Sequence, residues 1–242
     1  MKRTLLFLVL LAGFVVGCDT KTVEPDLHAA GYDYYPLNVG DFRIYDVTNI
    51  FYRNNVGDTT RFQLRERVDT TFTDQTNTLN YKIIRSIRPN ANSSWRDDSV
   101  IVVTKSVTNV ILSKDNTKWV KLVFPVVSGK TWKGDAYNSN QIENKEEPKE
   151  NYRFSNVGEP FTAGNETYPE TATVIQGTPS KNPVQLDDRK EVYAHGIGMV
   201  YRLFNRVVYC RDTESVQCPY DAGYKLNGHE RIEVLSSYGT MK

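Results

Sequence analysis

From Phe62 onward the sequence alternates. Phe62, Leu64 and Val68 form an apolar row that Glu66 interrupts, and Arg61, Gln63, Arg65 and Arg67 form the opposite row. A period of two marks a half-buried strand, because successive side chains point to opposite faces. The pattern recurs. Leu79, Tyr81, Ile83 and Ile87 oppose Asn80, Lys82, Ser86 and Arg88, and apolar runs follow at 99–103, 107–112 and 118–124. Turn formers stand between them at 54–58, 74–77, 89–94 and 115–116. Six strands within about 85 residues imply an antiparallel meander or barrel. After a polar stretch at 141–151 the pattern resumes at 152–154, 172–175, 191–193, 206–209 and 231–235. The expected fold is all-β: an antiparallel, strongly curved sheet or barrel of about ten strands, with a β-sandwich as the alternative. One β-rich domain over 34–242 is expected; a division at the polar stretch is the other option.

The N-terminus carries a second constraint. Lys2 and Arg3 precede an uncharged, mostly apolar run at 4–16, the length of a signal-peptide core and too short for a comfortable membrane span. The run ends in Val15-Val16-Gly17-Cys18, which resembles the bacterial lipobox. That resemblance implies a leader over 1–17, a lipidated Cys18 as first mature residue, and anchorage to a membrane by acyl chains. No later segment approaches ~20 uninterrupted apolar residues. Residues 18–33 read as the lipidated Cys and a polar tether, in which His28 is a solvated residue. Asp19 holds lipoproteins at the inner membrane in some envelopes while other envelopes sort differently; the expectation here is the outer membrane.

Two further stretches carry the same resemblance. Pro36-Leu37, Gly40 and Phe42 open the domain, and Tyr193-Ala194-His195-Gly196-Ile197-Gly198-Met199-Val200 lies near its end. Both resemble uncharacterised Gram-negative envelope lipoproteins, in which the first stretch begins a β-rich domain and the second is a strand, a tight turn and the next strand. In this chain the aromatic of the opening motif comes one place early, at Phe42. The family has no agreed activity, so the resemblance implies fold and location only.

Charge excludes one class of partner. The formal net charge is +1, and loss of Lys2 and Arg3 with the leader takes it to −1, whereas nucleic-acid binding wants a clear basic excess. Of the three cysteines, Cys18 belongs to the lipobox, and Cys210 and Cys218 share one segment. In an exported chain such a pair reads as a disulfide closing a short loop; two free thiols or an incomplete metal pair are the alternatives.

Catalytic signals are sparse. His195 beside a glycine turn, with Asp187 and Asp188 upstream, is the best candidate set, although His195 reads first as a turn residue. No nucleophile or zinc-hydrolase motif accompanies it. Asp97 and Asp98 would need a distant carboxylate partner for glycoside chemistry. Gly129-Lys130-Thr131 lacks the first glycine of a phosphate loop, since Phe124 stands in its place. Glu143, Glu146, Glu147 and Glu150 lack the oxygen spacing of a calcium loop and are mixed with Lys145 and Lys149. No metal or cofactor is expected. Trp95, Trp119 and Trp132 are candidates for stacking on sugars or lipids, or for ordinary β packing. The functional reading is a membrane-anchored accessory lipoprotein presenting a β-domain to an envelope protein or a ligand. The alternatives are a lipid-carrying barrel and a glycan or ester hydrolase using Asp and His on loops.

Overall fold

The computed structural model describes residues 26–139, 141–142, 145–146, 150–212, 217–218 and 223–241. The expected leader, Cys18 and most of the expected tether lie outside the described residues, as do the side chains of Glu143, Lys145, Glu146, Glu147 and Lys149.

The chain is all-β, as its periodicity requires. Fifteen strands form: β1 (Asp41–Arg53), β2 (Val56–Thr73), β3 (Leu79–Arg88), β4 (Arg96–Lys105), β5 (Asn109–Lys114), β6 (Thr117–Val123), β7 (Thr131–Lys133), β8 (Gln141–Ile142), β9 (Lys145–Glu146), β10 (Asn151–Ala163), β11 (Glu166–Gln176), β12 (Ser180–Lys181), β13 (Gln185–Ala194), β14 (Gly198–Tyr209) and β15 (Lys225–Thr240). Twelve of them make one antiparallel sheet in the order β6-β5-β4-β3-β2-β1-β15-β14-β13-β11-β10-β7, and β12 hangs on β13. Short strands β8 and β9 pair separately within the polar stretch. The sheet runs unbroken across the 141–151 boundary, through the pairing of β1 with β15.

The sheet is nearly closed into a barrel. Its end strands, β6 and β7, share no ladder, yet the outer edge of β6 is satisfied. Val120 N–H donates to Gly134 O at 2.7 Å, and the Trp132 indole donates to Val120 O at 2.8 Å. The Asn138 amide accepts from Lys118 N and donates to Lys118 O, both at 2.8 Å. A loop and two side chains thus stand in for the twelfth ladder that would close the barrel, which covers the exposed edge.

One barrel end is filled. A 3₁₀ turn at Tyr32–Tyr34 leads Tyr35 inward, where its ring lies 5.9 Å from Tyr193. Buried Arg43 ties this segment down by donating to Pro36 O and Ile197 O. Lys105 Nζ caps Tyr32 O and Tyr35 O at 2.9 and 2.8 Å. Beneath lie Tyr45, Val103, Val110, Leu122 and Val174, all with essentially no exposed surface. The turn 195–197 closes here too. Gly196 and Gly198 have φ of 73° and 98°, and a Cβ on Gly198 would meet Arg43 Nε at 2.8 Å, so both glycines serve the turn and Gly198 also serves close packing.

The β10–β11 hairpin departs from the barrel wall. Bulges between Ser155 and Phe161, with Asn156 and Gly158 at positive φ, bend it outward. It folds over the outer face of neighbouring strands, where Phe161 meets Tyr201 at 5.4 Å and Ala163 and Tyr168 become buried.

Candidate functional site

The opposite end of the barrel is open and polar. Strands continue into it where the apolar alternation stops, and the inward positions become charged. Asp187, Arg189 and Glu191 follow one another along β13; Arg202, Phe204 and Arg206 pair beside them on β14; His229, Arg231 and Glu233 complete the row on β15. Glu66 on β2 and Arg85 on β3 face the same interior. The residue that breaks the apolar row of β2 therefore marks a charged inner wall.

These groups form a chain of ion pairs. Glu191 Oε1 accepts from Lys121 Nζ and, at 2.9 and 2.7 Å, from Arg202 Nε and Nη2. Tyr193 O–H donates to Glu191 Oε2 at 2.6 Å. Arg202 Nη1 reaches Glu233 Oε1 at 3.2 Å, and Arg231 Nε donates to the same oxygen at 2.6 Å. Arg85 Nε sits 3.2 Å from Glu66 Oε1, within ion-pair distance but not aligned for a hydrogen bond. Both central carboxylates are buried, at 2% and 0% side-chain exposure. Burial alone would raise them, but the cations around them prevail. Lys121 and Arg202 hold Glu191 well below the carboxylate range, and Arg202, Arg231 and Arg85 hold Glu233 at about 2. Burial lowers the Lys121 ammonium, and the Glu191 charge opposes it.

Above this layer a cavity of about 360 Å³ opens to solvent. Its wall carries seven Arg and Lys side chains against three Glu, and counting the ion-pair partners Asp187, Glu233 and Asp115 leaves a basic excess of one. Two cations are held loosely: Arg206, 56% exposed and 3.4 Å from an Asp187 already taken by Arg189, and Lys114, 3.8 Å from a solvent-facing Asp115. Trp119, Tyr152, Phe204 and His229 supply flat surfaces. His229 stacks on Phe51 at 4.3 Å, and its Nε2 lies 2.7 Å from Asn49 Oδ1. Burial, then Arg231, lowers its pKa, favouring the neutral ring. A second compartment of about 310 Å³ shares Arg85, Lys114, Arg202 and Arg231.

The sequence-derived catalytic set does not assemble. His195 sits in the turn at the filled end, 3.3 Å from Asp33 and edge-on to Tyr34. Asp187 lies eight residues earlier, near the mouth, and ~3.3 Å per strand residue puts more than ~20 Å between them. Asp188 alternates to the other face of β13. His28 pairs with Asp33 at 2.6 Å on the surface. Gly129-Lys130-Thr131 runs into β7, with Lys130 Nζ turned onto Phe124 O and Pro125 O. Among the described residues, no three His, Cys, Asp or Glu side chains are placed to hold a metal. Cys210 and Cys218 form a disulfide beside the mouth, with Cα atoms 5.8 Å apart. On the outer face, Gln63 bonds Asp46 and Arg88, Arg67 pairs with Asp69, and Arg65 and Arg88 lie over the Trp95 ring at 4.6 and 4.3 Å. Gln63, Arg65 and Arg67 of that row are thus engaged with their own neighbours.

No protein-family model and no curated protein matches the chain. Two solved structures are similar to it. One is a protein of Bacteroides fragilis described as exported and having a YmcC-like fold, 12% identical, covering 85% of this chain and 98% of its own, with a TM-score of 0.38. The other, from Parabacteroides distasonis, is described as a lipoprotein, 12% identical with the same coverages and a TM-score of 0.36. At such TM-scores neither likeness bears on this chain.

Proposed function

We propose that this chain is a lipid-anchored binding protein of the cell envelope, held on the outer membrane through Cys18, whose barrel mouth takes a small anionic ligand. The leader pattern supports the location. The observation that carries the binding reading is the mouth cavity: set within one continuous sheet, basic in excess, and walled by aromatic rings. A carboxylate or phosphate would be met by Arg206 and Lys114, and a flat apolar or sugar portion by Trp119 and Phe204.

The alternatives fit less well. An acyl chain would desolvate the Arg and Glu side chains of the wall without replacing their partners. A glycoside hydrolase needs one protonated carboxyl, and Glu191 and Glu233 are both held ionised.

The test is calorimetric titration of the full chain with matched probes, glucuronate against glucose and inorganic phosphate against none. Anionic probes should bind at least tenfold tighter than neutral ones, with affinity falling as salt rises, and a variant carrying Arg206→Ala and Lys114→Ala should lose that preference. Equal binding of neutral and anionic probes, or none of either, overturns the reading.

A further inference from the structure

The filled end of the barrel differs from the mouth in more than packing. Its turns at 38–40, 74–78, 106–108 and 125–130 carry only Asp74 and Lys130 as formal charges. Both are satisfied internally. The Asp74 carboxylate accepts from Thr76 N–H, Thr76 O–H, Thr78 N–H and the Asn80 amide, and Lys130 Nζ donates to two backbone carbonyls. What projects instead is apolar: Val39, Phe72, Leu79, Val107 and Val127 are exposed, Val107 by 63%, with Leu27 beside them. Single exposed apolar side chains are ordinary, but a set on adjacent turns of one barrel end is a patch; the charges beside it, Asp26 and the His28–Asp33 pair, lie on the segment that carries Leu27. Mouth loops have the opposite composition: the 134–150 stretch alone holds Asp135, Glu143, Lys145, Glu146, Glu147, Lys149 and Glu150.

The chain also leaves the barrel at this end. Residues 26–35 lie against the same turns, with Val126 N–H donating to Ala30 O and Gly196 N–H to Asp33 O. Seven residues, 19–25, separate Cys18 from this segment and reach about 25 Å when fully extended. The thirteen residues of β1 alone span ~40 Å along the strand. Such a tether would have to run straight up the barrel side to bring the mouth to a bilayer.

We infer that the filled end is a membrane-docking face: its apolar turn tips rest in the lipid headgroup region, and the barrel mouth opens away from the bilayer. This inference rests on lipidation of Cys18 but not on what the mouth binds.

The experiment uses the full lipidated chain reconstituted into phosphatidylethanolamine–phosphatidylglycerol vesicles. A fluorophore is placed at the filled end by Val107→Cys or Val127→Cys, and at the mouth by Val56→Cys or Asn92→Cys, with labelling under non-reducing conditions. Nitroxide-bearing lipid should quench the first pair at least fivefold more than the second. Equal quenching at both ends, or stronger quenching at the mouth, overturns the proposal. Filled-end labels that are shielded by cross-linkable contact with a second copy, and unquenched by lipid, also overturn it. Vesicle flotation of the unlabelled protein beside Cys18→Ser separates the two premises. If neither floats, the anchor reading has failed; if only the parent floats and quenching is uniform, the anchor stands and the docking face falls.

Discussion

Arg202→Met is the most informative single substitution. It keeps most of the side-chain length and removes the guanidinium that joins two buried carboxylates. Three hydrogen bonds are lost, two to Glu191 and one to Glu233. Removing one partner of a buried ion pair costs about 3–5 kcal/mol when the other charge is left uncompensated. Here each carboxylate keeps a cation, Lys121 for Glu191 and Arg231 with Arg85 for Glu233, so the loss belongs near the lower end, about 3 kcal/mol. Urea unfolding at pH 7, followed by tryptophan fluorescence, measures it as a lower midpoint at unchanged slope. The pH dependence gives the sharper check. In the parent, Glu233 has a folded pKa near 2, below its unfolded value, so its contribution is present above about pH 4.5 and is lost as pH falls toward 2. Without Arg202 both carboxylates titrate closer to their unfolded values, so parent and variant should converge between pH 4.5 and 2. A loss under about 0.5 kcal/mol at pH 7, or a gap that stays constant down to pH 3, would refute the network as the source of stability.

Gly134→Ala should open the barrel seam, because the added Cβ would lie 2.4–2.6 Å from three Tyr152 ring atoms; a loss of about 1–3 kcal/mol in urea and faster exchange of the Val120 amide are expected. Replacing Cys210 and Cys218 together by Ser should cost about 2–3 kcal/mol, the loop-closure entropy for a crosslink of sequence separation 8, and oxidised against reduced parent should show the same difference. Burial lowers Lys105 to about 8, with Asp33 opposing; its folded pKa is below its unfolded one, so stability should rise from pH 8 to 9.5, and Lys105→Met should flatten that rise in thermal melts.

The barrel was legible where its inside is apolar. Phe62, Leu64 and Val68, then Tyr81, Ile83 and Ile87, show the period of two directly, and the turns fall where Asn, Asp and Gly cluster. The strands themselves run longer than that reading, and there are twelve around the sheet rather than about ten. The reason is physical: in the open half the inward face is polar, so hydrophobic alternation disappears while the backbone ladder continues. A second signal was present in the same stretches. Asp187, Arg189 and Glu191 alternate in sign at a spacing of two, as Arg231 and Glu233 do. Charges at strand period with opposite-sign neighbours across the sheet are what a satisfied polar interior demands. Glu66 hinted at it, but no local pattern shows that Glu191 meets Lys121, 70 residues away. Nor does spacing reveal that His195 and Asp187 mark opposite ends of one strand.

Strand β15 has a consequence for how the molecule comes together. It lies between β1 and β14, and its pairing with β1 joins residues as far apart as Asp41 and Thr240. On either side of it the strands pair mostly with sequence neighbours, in two meanders that can form early. Until the sixteen residues of β15 dock, β1 and β14 each present a raw edge, the state most open to pairing with another chain. The final strand acts as a splice, and its arrival converts two half-sheets with sticky margins into one wall.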